Sequence, residues 1–290
     1  MGLDGGATLR TRHQRADGSL ALSFGPGPRG AALRDLRQVS PLRALFPTPE
    51  PGENPVVAVV NTAGGVAGGD RLSVDLRLQP GACVTVSTPA AEKVYRALDA
   101  SAEIALRLDV GPGAVLEWIP QETILFSGAR LRRRADISLA PDARLVLTDS
   151  LVLGRAAMGE RFASGSVGDA WRLRRGGRLL WADGLRLDGD LAPLRGRFGF
   201  AGAEAYATLL LAAPGAEVHL PALRAALDGA PGGPPCRAPG CSLPASWAAR
   251  PQSVVRSRRA CSACVPRRSA FRPACRGCGR REPIGTGMTA

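Results

Sequence analysis

The sequence predicts a mainly β chain whose body is a stack of strands, and three observations predict it. A short phrase recurs at Pro80-Gly81-Ala82, Pro112-Gly113-Ala114 and Pro141-Asp142-Ala143, at intervals of 32 and 29 residues, and Pro214-Gly215-Ala216 echoes it. Each of the first three copies leads directly into an apolar-rich run (CVTVST, VLEWIP and RLVLTDS), the mark of a strand entered through a tight turn. Between the copies lie further short runs with little helical periodicity. A repeat near 30 residues suits a β-solenoid, in which each layer buries its face on the next. A β-sandwich whose turns share the phrase fits the pattern equally well.

In chain order the strand candidates are Val56–Asn61, Arg71–Leu78, the run from Cys83, Glu103–Val110, the run from Val115 that Pro120 ends, Ala135–Leu139, the run from Arg144, Trp171–Arg174 and Leu179–Leu187. Each shows alternating or continuous apolar residues over a strand's length. Helix is expected only towards the end of the body, at Gly202–Ala213 and at Pro221–Leu227, the second with Pro221 where a helix can start. Lys93–Leu98 is expected to form a single turn. The predicted class is thus mainly β: a stacked-strand, β-solenoid-like body with one or two short helices near its C-terminal end and a disordered basic tail.

At 290 residues the chain has room for one large or two ordinary domains. Apolar residues make up 45% and aromatics 4%, so small aliphatic side chains must do most of the packing. No apolar run approaches the roughly 20 residues of a membrane helix. The first residues, MGLDGGATLR, hold no basic segment leading into an apolar stretch. A soluble cytoplasmic protein is expected. The net charge of +13 is unevenly placed: residues 229–290 hold 11 arginines and one acid, whereas residues 1–228 hold 27 basic and 24 acidic side chains. Lys93 is the only lysine.

The body, residues 1–228, carries several unusual strings: NTAGGVAGGD (Asn61–Asp70), TPAAEKVYRA (Thr88–Ala97), LEWIPQETILFSGARL (Leu116–Leu131) and TDSLVLGRAAMGERF (Thr148–Phe162). The glycine cluster Gly64, Gly65, Gly68 and Gly69 is not a P-loop, because no Lys-Ser/Thr pair follows it, nor does it fit G-x-G-x-x-G. It reads as tight turns between strands, with Asp70 at the loop end, placed to bond backbone amides or to face a polar channel. Glu92, Lys93 and Arg96 read as a salt-bridged surface or interface turn. Glu117 and Glu122 are separated by Pro120, which predicts no shared face for glycosidase-type acid/base work. His13 and His219 stand far apart without a ligand pattern, no G-x-S-x-G elbow occurs, and Cys83 is the body's lone cysteine, expected to be buried and inert.

Taken together, these strings resemble the UreD (UreH) family of urease accessory proteins, over about residues 10–228. Gly64, Gly65, Gly68, Gly69, Lys93, Tyr95, Arg96, Trp118, Pro120, Gln121, Gly154 and Arg155 carry the likeness. Pro89 departs from the family phrase, standing where a polar residue is common. The resemblance implies a β-rich, helix-poor fold of stacked strands and no enzymatic activity. It implies a scaffold that binds apo-urease and, with UreF and UreG, inserts nickel, UreG supplying the GTP hydrolysis. No tightly bound cofactor, membrane or nucleic acid is implied, only transient nickel, and a homodimer only within the accessory complex. By the same resemblance an interior polar passage carries the ion. Asp70, Glu122, Asp149, Glu160 and Asp183, acids within or beside the strings, are the residues expected to line it.

From Gly229 the chain turns rich in Pro, Gly, Arg, Ser and Cys without apolar periodicity, which predicts disorder. Its composition is what a GC-rich gene yields when read out of frame, and the likeness fades at the same place. Cys261, Cys264, Cys275 and Cys278 form two C-x-x-C pairs in a basic context, the alternative reading being a zinc-dependent nucleic-acid-binding module. Cys236 and Cys241 complete the tail's thiols. A second alternative is a carbohydrate-active enzyme on a stacked β fold.

Overall fold

The computed structural model describes residues 14–195, 200, 203–219 and 221, with the backbone of 254–260. The early strands are β1 (Asp17–Gly25), β2 (Ala32–Val39), β3 (Leu42–Leu45), β4 (Val56–Asn61), β5 (Arg71–Leu78), β6 (Cys83–Ser87), β7 (Glu92–Val94), β8 (Ala102–Val110) and β9 (Val115–Trp118). The later ones are β10 (Thr123–Leu125), β11 (Arg130–Leu139), β12 (Arg144–Arg155), β13 (Glu160–Arg161), β14 (Ser164–Arg175), β15 (Arg178–Asp190), β16 (Ala205–Ala212) and β17 (Val254–Ala260). Among the described residues helix is confined, apart from Pro221, to 3₁₀ turns at Ala156–Met158, Ala192–Arg195 and Ala216–His219.

Two sheets face each other. One runs β15-β14-β11-β8-β5-β1-β2 and the other β17-β16-β12-β9-β6-β4-β3. The chain passes from the first to the second at Pro80–Ala82, Pro112–Ala114 and Pro141–Ala143, so β5, β6 and β7 form one coil, β8, β9 and β10 the next, and β11 and β12 a third. Strands at the same place in successive coils pair in parallel. Leu78 meets Val110, which meets Leu139; Cys83 meets Val115, which meets Arg144. The offsets are the 32- and 29-residue intervals of the phrase, so the sequence repeat is the length of a coil. The arrangement is the stacked-coil solenoid, not the sandwich.

Stacking converts the period-two alternation into columns. Leu22, Leu76, Leu108, Ile137 and Leu173 are successive partners across the first sheet, each at most 3% exposed. Val84, Leu116, Leu145 and Ala212 form the facing column. Burying one such leucine contributes about 1.5–3 kcal/mol. On the outer face, Arg71–Glu103, Asp75–Arg107 and Arg77–Asp109 pair across β5 and β8 at 3.8, 3.6 and 3.9 Å. Exposed pairs of this kind contribute at most about 1 kcal/mol each. They share a register with the core, since a one-residue slip would turn Leu76 to solvent.

Two expectations are corrected. Gly202–Ala213 is not a helix: Ala205–Ala212 is β16, antiparallel to β12 from Leu145↔Ala212 to Val152↔Ala205. A short continuous apolar run is ambiguous between helix and buried strand, and the unpaired edge of β12 decides it by supplying backbone partners. Lys93–Leu98 is not a helical turn either, because Glu92–Val94 is β7, parallel to β10. Residues 222–227 of the second expected helix lie outside the described residues. Of the tail, residues 254–260 are described as β17 along β16. The six tail cysteines lie outside the described residues. Cys83 is buried, as expected, and in no disulfide among the described residues. Among the described residues no helix is long and apolar enough to cross a membrane.

Leu108 sits mid-column with little freedom for its neighbours to close a gap. Leu108→Ala is expected to destabilise the fold by about 2–5 kcal/mol, read as a lower urea midpoint with an unchanged slope.

Candidate functional site

The unusual strings are each about one coil apart, and stacking brings them to one edge of the solenoid. Asn61 Nδ2 donates to the Gly65 carbonyl at 3.1 Å and to the Glu92 carboxylate, 31 residues on, at 3.2 and 3.3 Å. Tyr95 Oη donates to the Gly64 carbonyl at 2.9 Å. The Gln121 amide donates to Thr88 Oγ1 at 2.8 Å, and the Ser127 amide to Glu160 Oε1 at 3.2 Å, each across 33 residues. Backbone bonds complete the seam: Val66 to Lys93, Tyr95 to Val66, Phe126 to Val94 and Ala97 to Gly128, at 2.7, 2.9, 3.0 and 3.0 Å.

The side chains on this edge form a layered cluster. The Tyr95 and Phe126 rings meet edge to face, centroids 5.1 Å apart. The Arg155 guanidinium lies 4.1 Å over the Phe126 ring and pairs with Glu160. Gly65, at φ 153°, leaves room for that arrangement, since a Cβ there would stand 2.4 Å from Tyr95 Cε2. Gly64 and Gly69 turn the same loop, Gly68 lies against Ala97, and Gly154 pairs with Arg161. Burial raises the Glu92 carboxyl above its ordinary range, against the Asn61 hydrogen bond. The Arg155 hydrogen bond lowers Glu160, with help from the Ser127 amide.

A second polar cluster lies inside the stack. In β11 the residues Leu131, Arg133, Ala135, Ile137 and Leu139 alternate inward, which places a guanidinium in an otherwise apolar position. Arg133 Nη1 and Nη2 reach Asp149 of the opposite sheet at 2.8 and 2.5 Å; Nε and Nη2 reach Asp169 at 2.9 and 2.7 Å. Trp171 Nε1 donates to Asp169 at 3.0 Å, and its ring lies 5.3 Å from the guanidinium. Burial works against the Arg133 charge, yet the two carboxylates raise its pKa. Burial raises Asp149, with Arg133 opposing and Asp169 assisting. Beside the cluster is a cavity of about 10 Å³, room for roughly one water, lined by Asp149, Asp169, Asp183, Trp181 and Thr208 among others.

The five expected passage acids therefore separate. Asp149 and Asp183 line the same cavity. Asp70 accepts from the Ala16 and Ala67 amides at 2.9 and 2.8 Å, closing the glycine loop. Glu160 belongs to the edge, and Glu122 stands half-buried just before β10. Among the described residues no group of three or more His, Cys, Asp or Glu side chains is placed to hold a metal ion. Trp118 is core, paired with Val86 and Leu147, and Pro120 and Gln121 follow it into the third side of the coil. Arg133 and Asp169 were not singled out from the sequence, although the alternation around each marks an inward charge.

The profile of the family described as "UreD urease accessory protein" matches residues 16–279. The urease accessory protein UreD of Granulibacter bethesdensis is 52% identical over 181 residues, 62% of this chain and 75% of that one. The protein of the same name from Methylobacterium sp. strain 4-46 is 48% identical over 215 residues, 73% and 76% of the two chains. That of Xanthobacter autotrophicus is 46% identical over 225 residues, 77% of each. The family match thus runs beyond residue 228, where the likeness read from the strings stops.

Removing one member of the buried cluster leaves uncompensated charge. Arg133→Met is expected to cost about 3–5 kcal/mol in urea unfolding, and the triple change Arg133→Met, Asp149→Leu, Asp169→Leu to recover most of it. Glu160 has a lowered folded-state pKa, so its contribution is present above its ordinary 4.5 and is lost as pH falls through the folded value. Thermal midpoints measured between about pH 5 and pH 3 should therefore fall less steeply for Glu160→Gln than for the wild type.

Proposed function

This chain belongs to the UreD family of urease accessory proteins, and on that premise we propose that it is a urease maturation factor. In this reading it is a cytoplasmic scaffold without a reaction of its own, which binds apo-urease and, with UreF and UreG, mediates nickel insertion into the urease active site. The observation that carries the reading is the extent of the family match, which takes in the whole stack from β1 onward. Any homodimer belongs to the accessory complex, and GTP hydrolysis falls to UreG.

Nickel is cargo here, and cargo must be accepted without being kept. A borderline divalent ion takes carboxylate oxygens, and acids lower the barrier to a cation in a narrow interior. Asp149 and Asp183, with Asp169, support a passage in the cavity between the sheets. Arg133 already engages two of these carboxylates, so an ion there competes with a guanidinium and is held weakly. Asp70 and Glu160 serve backbone amides instead, so of the five acids the passage rests chiefly on Asp149 and Asp183.

In a urease-producing host lacking its own UreD, the full chain is expected to co-purify with apo-urease and to restore urease activity. Asp183→Asn should lower that activity several-fold at limiting nickel and regain it in excess nickel. Failure to co-purify, or turnover of a substrate by the purified chain alone, would overturn the reading.

A further inference from the structure

The edge where the strings meet carries both exposed apolar side chains and exposed cations. Tyr95, Leu98 and Met158 are 36%, 71% and 75% exposed; away from this edge, Leu33, Leu36, Val39, Leu45 and Phe46, on and beside β2 and β3, are exposed too. Phe126 packs edge to face on Tyr95, and Arg155 packs on Phe126. Lys93, Arg96 and Arg161 are exposed on the same edge. Among the described residues none of these three has a carboxylate within 4.0 Å, in contrast to the matched rows on the outer face of β5 and β8. Of the edge's carboxylates, Glu92 is turned to Asn61 and Glu160 to Arg155, while Asp99, beside Leu98, is exposed and Glu122, just before β10, is half-buried. Two glycines hold the display in place: Gly65 beneath Tyr95, and Gly128, where a Cβ would stand 2.8 Å from Arg96 Cγ.

We propose that this edge is a docking surface for a partner protein whose face carries both acidic and apolar side chains. The proposal rests on the scaffold reading and deepens it. Tyr, Met and Arg on a rigid support are the residue types that concentrate binding energy in interfaces. Charge decides the occupant. A second copy joined through the same patch would bring Lys93, Arg96 and Arg161 against their own counterparts, which disfavours an isologous dimer. A nucleic acid would leave Leu98 and Met158 in water. An acidic protein face with apolar side chains answers both the cations and the exposed apolar groups.

Lys93, the only lysine in the chain, makes the test specific. The full chain and the variant Lys93→Glu, Arg96→Glu, Arg161→Glu are titrated separately with purified apo-urease, UreF and UreG. The variant is expected to bind one of them at least about tenfold more weakly, with an unchanged thermal midpoint. Tyr95→Ala with Met158→Ala should weaken the same partner, and a carbodiimide should join Lys93 Nζ to one of that partner's carboxylates as an amide. Unchanged binding of every partner by the charge-reversed variant, or patch-dependent self-association or nucleic-acid binding, would overturn the surface while leaving the scaffold reading in place. A wild-type chain that binds none of the three would overturn both.

Discussion

Backbone pairing between coils of matched length is the constraint on which the rest of this structure depends. A parallel strand inside a stack must find partners for its amides and carbonyls on both sides, and a buried unpaired group is costly. β8 and β11 meet that condition because each neighbouring coil presents a strand in phase with them. Once the phase is set, side chains at one position stack on their own kind, and Leu76, Leu108 and Ile137 become one column. Apolar burial then rewards a register that the hydrogen bonds have already selected.

Arg133 departs from that rule, and its setting shows how the departure is tolerated. Its guanidinium engages a carboxylate from each sheet, and Trp171 Nε1 donates to the Asp169 Oδ2 that Arg133 Nη2 also reaches. The cluster therefore ties the two sheets together at the end of the stack where β14 and β16 follow β11 and β12. Desolvating these charges is expensive, so the gain lies more in fixing one arrangement than in net stability. The same groups give the interior its polarity beside the cavity.

The third side of each coil follows a different logic. β7, β10 and β13 are two or three residues long, so they bury little themselves. Their value lies in what they place side by side: Tyr95, Phe126 and Arg155 come from three successive coils and meet in one cluster. A rigid core with small aliphatic columns supports an edge where larger side chains are displayed outward.

Much of this was legible in the chain itself. The spacing of Pro80, Pro112 and Pro141 carried the coil length, and the alternation of Arg71–Leu78 and Glu103–Val110 carried the inward face. Those are local signals, because turn chemistry and a two-residue period are written within a few positions. The choice of solenoid over sandwich, the conversion of Gly202–Ala213 from helix to strand, and the meeting of Arg133 with Asp149 and Asp169 were settled only in three dimensions. Each depends on which residues the coils bring into contact across tens of positions, and local propensity does not encode that. Sequence by itself determined the repeat and its buried face; tertiary stacking decided which distant side chains share a site.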